Sequence, residues 1–167
     1  RRYRAIFTLF SGISSPSCHR SALFGVSMLV EIWPLRSLDY QAVADLWQQE
    51  QGIVVRDFDD SEAGFDRMIR HNPYLCLGLW EGEQLVGAAL TGFDGRRAYI
   101  YHFMIAAHRR RNGLGKQLAA ALDQAMSRKS INKAHLFVLR HNTDAQKFWC
   151  ELDWYLREDV SVYSRSY

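Results

Sequence analysis

A short run of basic residues and glycines is the part of this sequence best suited to hold an anion. Between an apolar stretch at 99–107 and a helix-like stretch that begins near Gly113, the chain reads Arg110, Arg111, Asn112, Gly113, Leu114, Gly115 and Lys116. Glycine lets the backbone approach a ligand closely, and the unpaired N–H groups and dipole of a helix N-terminus attract negative charge. Three cations, Arg110, Arg111 and Lys116, flank this point. The pattern therefore predicts a loop that binds a pyrophosphate.

The spacing Arg-x-x-Gly-x-Gly, followed by an amphipathic helix, resembles the acyl-CoA signature of the GNAT superfamily of N-acetyltransferases. Two other segments resemble the same superfamily. Residues 142–149, which read Asn-Thr-Asp-Ala-Gln-Lys-Phe-Trp, match the start of its last helix, and residues 28–36 with Asp39 match its first strand and turn. The resemblance implies an enzyme that uses acetyl-CoA as co-substrate, without a metal, and moves the acetyl group to a primary amine by direct attack in a ternary complex.

By this resemblance the contacts to CoA fall on the basic loop, on the strand before it and on the last helix. The implied contacts are Phe103, Ile105, Arg110, Arg111, Asn112, Gly113, Leu114, Gly115, Lys116, Asn142 and Trp149. The backbone N–H of Ile105 corresponds to the group that binds the thioester oxygen. Core packing explains the side chains of Phe103 and Trp149 equally well. Asn142 fits both a contact to the pantetheine arm and the N-cap of the last helix.

The residue that would protonate the departing thiolate is missing from its usual place. Relatives often carry Tyr at the position of Trp149 as the presumed general acid, whereas an indole N–H does not ionise usefully near neutral pH. Two substitutes stay open, namely water and a neighbouring tyrosine, for which Tyr155 is the candidate. Because a thiol with a pKa of about 8.5 leaves as a tolerable thiolate, the sequence predicts that no acid is needed at Trp149.

Two residues of one predicted strand, Tyr101 and His102, are the candidates for the general base. Relatives often place the base at positions that match Tyr99 or Tyr101, but a phenol with a pKa near 10 is a poor base unless it is perturbed. An imidazole accepts a proton near neutral pH, yet in a regular strand His102 points to the opposite face, unless a bulge intervenes. His102 is also explained as an inter-strand or core histidine. Glu50 and Asp94 are alternative carboxylates that would order a base water.

The identity of the amine stays open. Residues 92–97, which read Gly-Phe-Asp-Gly-Arg-Arg, together with Tyr101 resemble a small bacterial subgroup of the superfamily, the YpeA-like acetyltransferases, although a hairpin turn alone explains Asp-Gly. The acidic residues Asp57, Asp59, Asp60 and Glu62 either attract a cationic amine or cap the helix that begins at Ser61. A polyamine, an aminoglycoside, an amino acid and a protein N-terminus all fit a small-molecule or peptide acceptor.

The composition bounds the class of protein and its partners. A chain of 167 residues with a formal net charge of +3 fits one domain and does not call for a nucleic-acid partner. Cys18, Cys76 and Cys150 are odd in number and widely spaced, which argues against a disulfide framework or a structural zinc site. No run approaches the roughly 20 apolar residues of a membrane span. We expect a cytoplasmic protein without membrane partners, as a monomer or a homodimer.

Two other functions stay in view. Residues 108–111 are basic enough for a nucleic-acid-binding domain, although no aromatic stacking platform accompanies them. The substitution at Trp149 also fits a catalytically weak module that binds acyl-CoA. Turnover of an amine distinguishes an enzyme from such a module, and salt-sensitive binding of RNA or DNA would favour the third class.

The remaining pattern predicts an α/β (α+β) architecture, in which helices flank a mixed, mostly antiparallel sheet in the order β-α-α-β-β-β-α-β-α-β. Residues 1–27 are interpreted as an N-terminal extension and 28–167 as the GNAT domain. Strands are predicted at 28–35, 74–80, 85–93, 98–107, 134–139 and 155–163. Hairpin turns are predicted at Glu81-Gly82 and Asp94-Gly95, and 134–139 should lie parallel to 98–107.

The first helix is predicted from its cap and its apolar spacing. Ser37 is the predicted N-cap, Leu38, Ala42 and Leu46 belong to the buried face, and the helix should end near Gly52.

Overall fold

The computed structural model of the protein describes residues 29–49, 56 and 58–166. Among these residues, one sheet has the strand order β1-β2-β3-β4-β5, with β1 at Val30–Pro34, β2 at Leu77–Glu81, β3 at Gln84–Phe93, β4 at Ala98–Ile105 and β5 at Ala134–Leu136. The helices are α1 at Tyr40–Gln48, α2 at Glu62–His71, α3 at Leu114–Arg128 and α4 at Thr143–Cys150. Short 3-10 turns at Ser37–Asp39 and Ala107–Arg109 precede α1 and α3. Residues 1–27 and Gly52 lie outside the described part of the chain.

The predicted mixed sheet is confirmed. Strands β1 to β4 pair in antiparallel fashion, and β5 pairs with β4 in parallel. Gly82 and Gly95 occupy the two predicted hairpin turns with φ of +60° and +88°, a backbone region that glycine adopts without strain. The Asp94 carboxylate accepts the N–H groups of Arg96 and Arg97, and these bonds lower the pKa of Asp94.

The core lies on both faces of the sheet. Residues 85–92 of β3 are buried without alternation, which requires cover on each side, and α1, α2 and α3 all contact this strand. Phe65 of α2 and Leu118 of α3 are among the fully buried side chains. Cys76 and Cys150 are free thiols. None of the described helices has the length and apolar character that crossing a membrane requires.

The predicted start of the first helix is wrong. Ser37 does not cap it, because its hydroxyl donates to Asp66 of α2. Asp39 instead accepts the backbone N–H of Arg36 at 2.9 Å, and a 3-10 turn separates this point from α1. A 3-10 turn has three residues per turn, so it shifts the phase of the helix. Leu38 is consequently 88% exposed rather than on the buried face.

The predicted last strand, 155–163, is also wrong. No residue between Tyr155 and Tyr163 joins the sheet, and both of these tyrosines are exposed. Alternating apolar residues indicate which face of a strand would be buried, but they do not supply an edge to pair with. The neighbouring β5 has only three paired residues, Ala134–Leu136, instead of the predicted six. In the described part of the chain the element order therefore ends with α4.

Candidate active site

Strand β4 changes its pairing at Tyr101. Leu90 of β3 opposes His102 and Thr91 opposes Ile100, so Tyr101 is an extra residue and forms a β-bulge. On the other edge, the ladder between β4 and β5 ends at Ile100. The bulge and the end of the ladder therefore coincide, and they open a cleft beside the second half of β4.

A cavity of about 860 Å³ occupies this cleft. Its wall comprises the end of α1, Arg56, Asp59 and Asp60, one face of α2, residues 100–103 of β4, residues 136–139 and the start of α4. The volume is typical of a small-molecule site. Tyr101 and His102 line the same space as Phe103, Asn142 and Trp149. The two candidates for the general base and part of the predicted CoA site are thus brought together.

His102 is held by a carboxylate and an aromatic ring. Its Nε2 lies 2.8 Å from Oδ1 of Asp60, and both side chains are largely buried, with 13% and 9% exposed. The ring of Trp47 lies 5.1 Å from the imidazole, and the second oxygen of Asp60 accepts the N–H of Arg56 at 2.7 Å. The bulge at Tyr101 shifts the alternation of β4 by one residue, so the parity argument against His102 does not apply.

The position of Asp60 depends on close packing at the start of α2. The helix begins after Ser61, close to its predicted start, but its cap is Ser61 and not one of the acidic residues, because the Ser61 hydroxyl accepts the N–H of Gly64 at 3.2 Å. A Cβ at Gly64 would collide with the backbone carbonyl of Asp59. Only glycine therefore lets the acidic loop lie against the helix and bring Asp60 to His102.

Tyr101 is suited to donate a hydrogen bond rather than to accept a proton. Its ring is 57% exposed at the bulge and lines the cavity. Partial burial raises the pKa of Tyr101, and the nearby Tyr99, Asp94 and Asp59 raise it further. The side chain consequently stays a neutral phenol at neutral pH.

Two other candidates lie away from the cavity. Tyr155 is 68% exposed and is not among the residues of the cavity wall. The carboxylate of Asp94 accepts backbone N–H groups of its own hairpin turn, and Glu50 lies outside the described residues. No group of His, Cys, Asp or Glu suited to a metal ion occurs in the part of the chain that the structure describes.

The basic loop precedes α3 in the way that the sequence predicts. Gly113 is the N-cap of α3 with φ of +75°, and a Cβ there would meet no atom within 4 Å. Glycine occupies position 115 for a different reason: a Cβ there would lie only 3.1 Å from the ring of Phe148 in α4. Lys116 pairs with Glu151 of the α4 C-terminus at 3.1 Å. Glycine at 113 thus serves the turn, and glycine at 115 lets α3 and α4 lie close together.

A buried ion pair that sequence reasoning missed anchors this loop. Arg109, in the 3-10 turn before the loop, pairs with Glu81 at the end of β2, and Glu81 is 6% exposed. The two residues are 28 positions apart and carry no joint signal in the sequence. The pair fixes the start of the loop to the end of β2.

Comparisons with known proteins decide the family. Residues 31–154 match the sequence profile of the acetyltransferase (GNAT) family. The chain belongs to this family. An acetyltransferase of Pectobacterium atrosepticum is 30% identical over 116 residues, which cover 70% of this chain and 80% of that protein. An acetyltransferase of Sodalis glossinidius is 25% identical over 131 residues, 78% of this chain and 91% of that protein. The protein is therefore an acyl-CoA-dependent acetyltransferase.

Solved structures confirm the GNAT fold. The PaiA N-acetyltransferase of Thermoplasma acidophilum, in complex with coenzyme A, has a TM-score of 0.68 at 19% identity and covers 80% of this chain and 94% of that one. An aminoglycoside N-acetyltransferase in complex with CoA has a TM-score of 0.68 at 18% identity, with 86% and 99% covered. The ribosomal-protein-S18-alanine N-acetyltransferase of Escherichia coli has a TM-score of 0.65 at 20% identity, with 74% and 76% covered.

Trp149 of this GNAT domain belongs to an aromatic cluster. It is 8% exposed, and its ring meets Phe103 edge-on at 4.8 Å and also contacts Phe148 and Trp154 at 5.1 and 5.0 Å. Asn142 caps α4, since its side chain accepts the N–H of Ala145 at 3.1 Å. Both residues also line the cavity, so packing or capping and a contact to CoA are compatible for each.

Replacing Trp149 with phenylalanine is expected to retain most of the activity, because the smaller ring keeps an aromatic contact and removes no acid. The incompletely filled site should lower the melting temperature by a few degrees. Steady-state kinetics with an accepted amine would measure the first effect and thermal unfolding the second. Trp149→Tyr is the matched variant, because it introduces a phenol that can donate a proton at this position. A hundredfold rise in kcat for Trp149→Tyr would contradict the expectation that the thiolate leaves without an acid at this position.

Proposed function

We propose that this GNAT protein acetylates a primary amine with acetyl-CoA by direct attack in a ternary complex. The observation that carries the proposal is the single cavity that the His102–Asp60 pair shares with Phe103, Asn142 and Trp149. A base and a thioester in one space allow an amine to attack directly, without an acyl-enzyme. Two structural neighbours that contain CoA support the choice of co-substrate.

The backbone N–H of Ile105 is the donor proposed for the thioester oxygen. The N–H of Ala106 donates to Val86 of β3 at 2.9 Å, and successive residues of an antiparallel strand direct their backbone groups to opposite edges. Ile105 therefore directs its N–H away from β3, toward the edge where pairing with β5 has ended. The guanidinium of Arg110 donates to the Ile105 carbonyl on that edge at 2.9 Å. A donor on an open strand edge is suited to stabilise a developing oxyanion.

His102 is proposed as the general base. With Asp60 accepting the Nε2–H, the lone pair of the imidazole lies on Nδ1 and takes a proton from the ammonium group, directly or through water. The neutral nitrogen then attacks the thioester carbonyl carbon. The new N–C bond forms, the C–S bond breaks, and its electron pair leaves on the thiolate. The attacking nitrogen, which is positively charged once the N–C bond has formed, gives up its excess proton through water to that thiolate, so the products are the amide and the free thiol of CoA. Asp60 is a positioning residue in this scheme, because it acts through the ring that it orients.

A screen of amines for the release of free CoA thiol tests the proposal, with acetyl-CoA binding measured separately by titration calorimetry. Turnover of at least one amine, with the acetyl group found on its nitrogen, supports it. Tight binding of acetyl-CoA without turnover of any amine would instead identify a binding module. Salt-sensitive RNA binding without affinity for CoA would favour a nucleic-acid-binding domain.

A further inference from the structure

The α2 side of the cavity is more basic than the acidic loop before this helix indicates. Arg56, Arg67 and His71 line it, together with Asp59 and Asp60. Asp60 already accepts hydrogen bonds from His102 and from the N–H of Arg56. The described part of the cavity wall has two carboxylates, and since Asp60 is engaged in this way, Asp59 is the one available to bind a ligand. The two arginines equal the two aspartates in number, so a purely cationic acceptor would meet no excess of negative charge on this side of the cavity.

The two arginines of α2 differ in whether their guanidinium group pairs with a carboxylate. Arg70 lies outside the cavity wall and pairs with Asp66 of the same helix. Arg67 lines the cavity, where its guanidinium stands over the ring of Phe58 at 5.5 Å and forms no ion pair with any described residue. An aromatic face supports a guanidinium from one side and leaves its N–H groups directed outward. Arg67 thus presents an oriented guanidinium to the cavity, where a ligand can bind.

We infer that the acceptor is an amine that also carries a carboxylate, as amino acids do. This inference rests on the proposed acetylation of an amine and specifies its substrate class. A planar guanidinium presents parallel N–H donors that match the two oxygens of a carboxylate. Arg67 binds the carboxylate, while Asp59 and the His102–Asp60 pair receive the ammonium group. The cavity therefore has complementary charge for both groups of a zwitterion.

Matched acceptors test the inference. The first pair is 6-aminohexanoate against hexylamine and the second is phenylalanine against phenethylamine, because each pair differs in one carboxylate. We expect kcat/KM to be about 10- to 100-fold higher for the carboxylate-bearing member of at least one pair, as charge-assisted hydrogen bonds require. Aminoethyl phosphate serves as the phosphate-bearing arm. A higher kcat/KM for aminoethyl phosphate than for every amino acid would overturn the assignment of a carboxylate.

Variants of Arg67 test whether this residue causes the preference for acceptors that carry a carboxylate. Arg67→Ala should raise KM for the preferred amino acid about 10- to 100-fold with little change in kcat, and should leave KM for the amine without a carboxylate unchanged. Arg70→Ala is the matched control on the same helix and should change neither constant. Arg67→Glu should reverse the preference within the pair. Equal effects of Arg67→Ala on both members of a pair would overturn the inference.

Failure of the inference is distinguishable from failure of the proposed function. Acetylation of the amines without a carboxylate at rates equal to or above those of the amino acids would overturn the inference and leave the amine acetyltransferase in place. The absence of turnover with every amine, in a protein that still binds acetyl-CoA, would overturn both.

Discussion

Replacing His102 with glutamine is expected to lower kcat by about 10²- to 10⁴-fold and to leave the affinity for acetyl-CoA nearly unchanged. Glutamine keeps a polar side chain of similar reach that can still bond to Asp60, but it cannot accept a proton from the ammonium group. Because the imidazole is largely buried between Asp60 and Trp47, a side chain of similar size disturbs the cavity least. Single-turnover kinetics would measure the chemical step, and calorimetry would measure binding of acetyl-CoA.

Two further variants separate chemistry from packing. His135→Gln is the matched control, because His135 lies on β5 outside the cavity wall, with its ring 5.5 Å from Tyr99. It should retain wild-type kcat. Asp60→Asn should give an intermediate loss, since an amide both donates and accepts and no longer fixes which nitrogen of His102 carries the proton. Wild-type kcat in a folded His102→Gln protein would rule out His102 as the base.

Local signals were sufficient for much of the fold. The turns at Gly82 and Gly95, the cap at Ser61 and the cap at Asn142 all depend on residues within a few positions of one another. Such signals survive in the folded protein because the hydrogen bonds that they predict are made within the same short segment. The meander and the beginnings of α2, α3 and α4 were therefore predictable.

The candidate site was less predictable because it depends on register. The bulge at Tyr101 exists only in the pairing of β4 with β3, and nothing in β4 by itself signals it. His102 and Asp60 are 42 positions apart, so their hydrogen bond follows from the folding of the acidic loop onto α2. The acidic loop was recognised, but its function was interpreted as charge attraction or helix capping. Contacts between distant segments thus determine which residue is a candidate base.

The prediction of a last strand at 155–163 was wrong for a related reason. Val160 and Val162 alternate with Ser161 in the manner of a half-buried strand, but a strand also needs a partner edge of adequate length. The three residues of β5 do not supply one. The same divergence of β5 from β4 opens the cavity beside Phe103. The feature that defeats the strand prediction is therefore the feature that creates space for a ligand.

Gly113→Val is expected to weaken binding of acetyl-CoA by about 100-fold or more. Gly113 is the N-cap of α3, and a Cβ there would project into open space, where the pyrophosphate is expected to approach the backbone N–H groups. Loss of two charge-assisted hydrogen bonds is sufficient for an effect of this size. The change also strains the backbone, because valine at a φ of +75° destabilises the fold by at least about 1–2 kcal/mol. Affinity must therefore be measured well below the melting temperature.

Gly82→Val is the control that isolates binding from strain. Gly82 has φ of +60° and open space around its Cβ, as Gly113 has, but it lies in the hairpin between β2 and β3. Both variants should lose similar stability in thermal unfolding, and only Gly113→Val should lose affinity in titration calorimetry with CoA. Equal CoA affinity in the two variants would mean that the loop before α3 does not hold the pyrophosphate. The basic residues 110–116 would then be a solvated flank of a helix N-terminus, and acetyl-CoA would have to bind through other parts of the cavity wall.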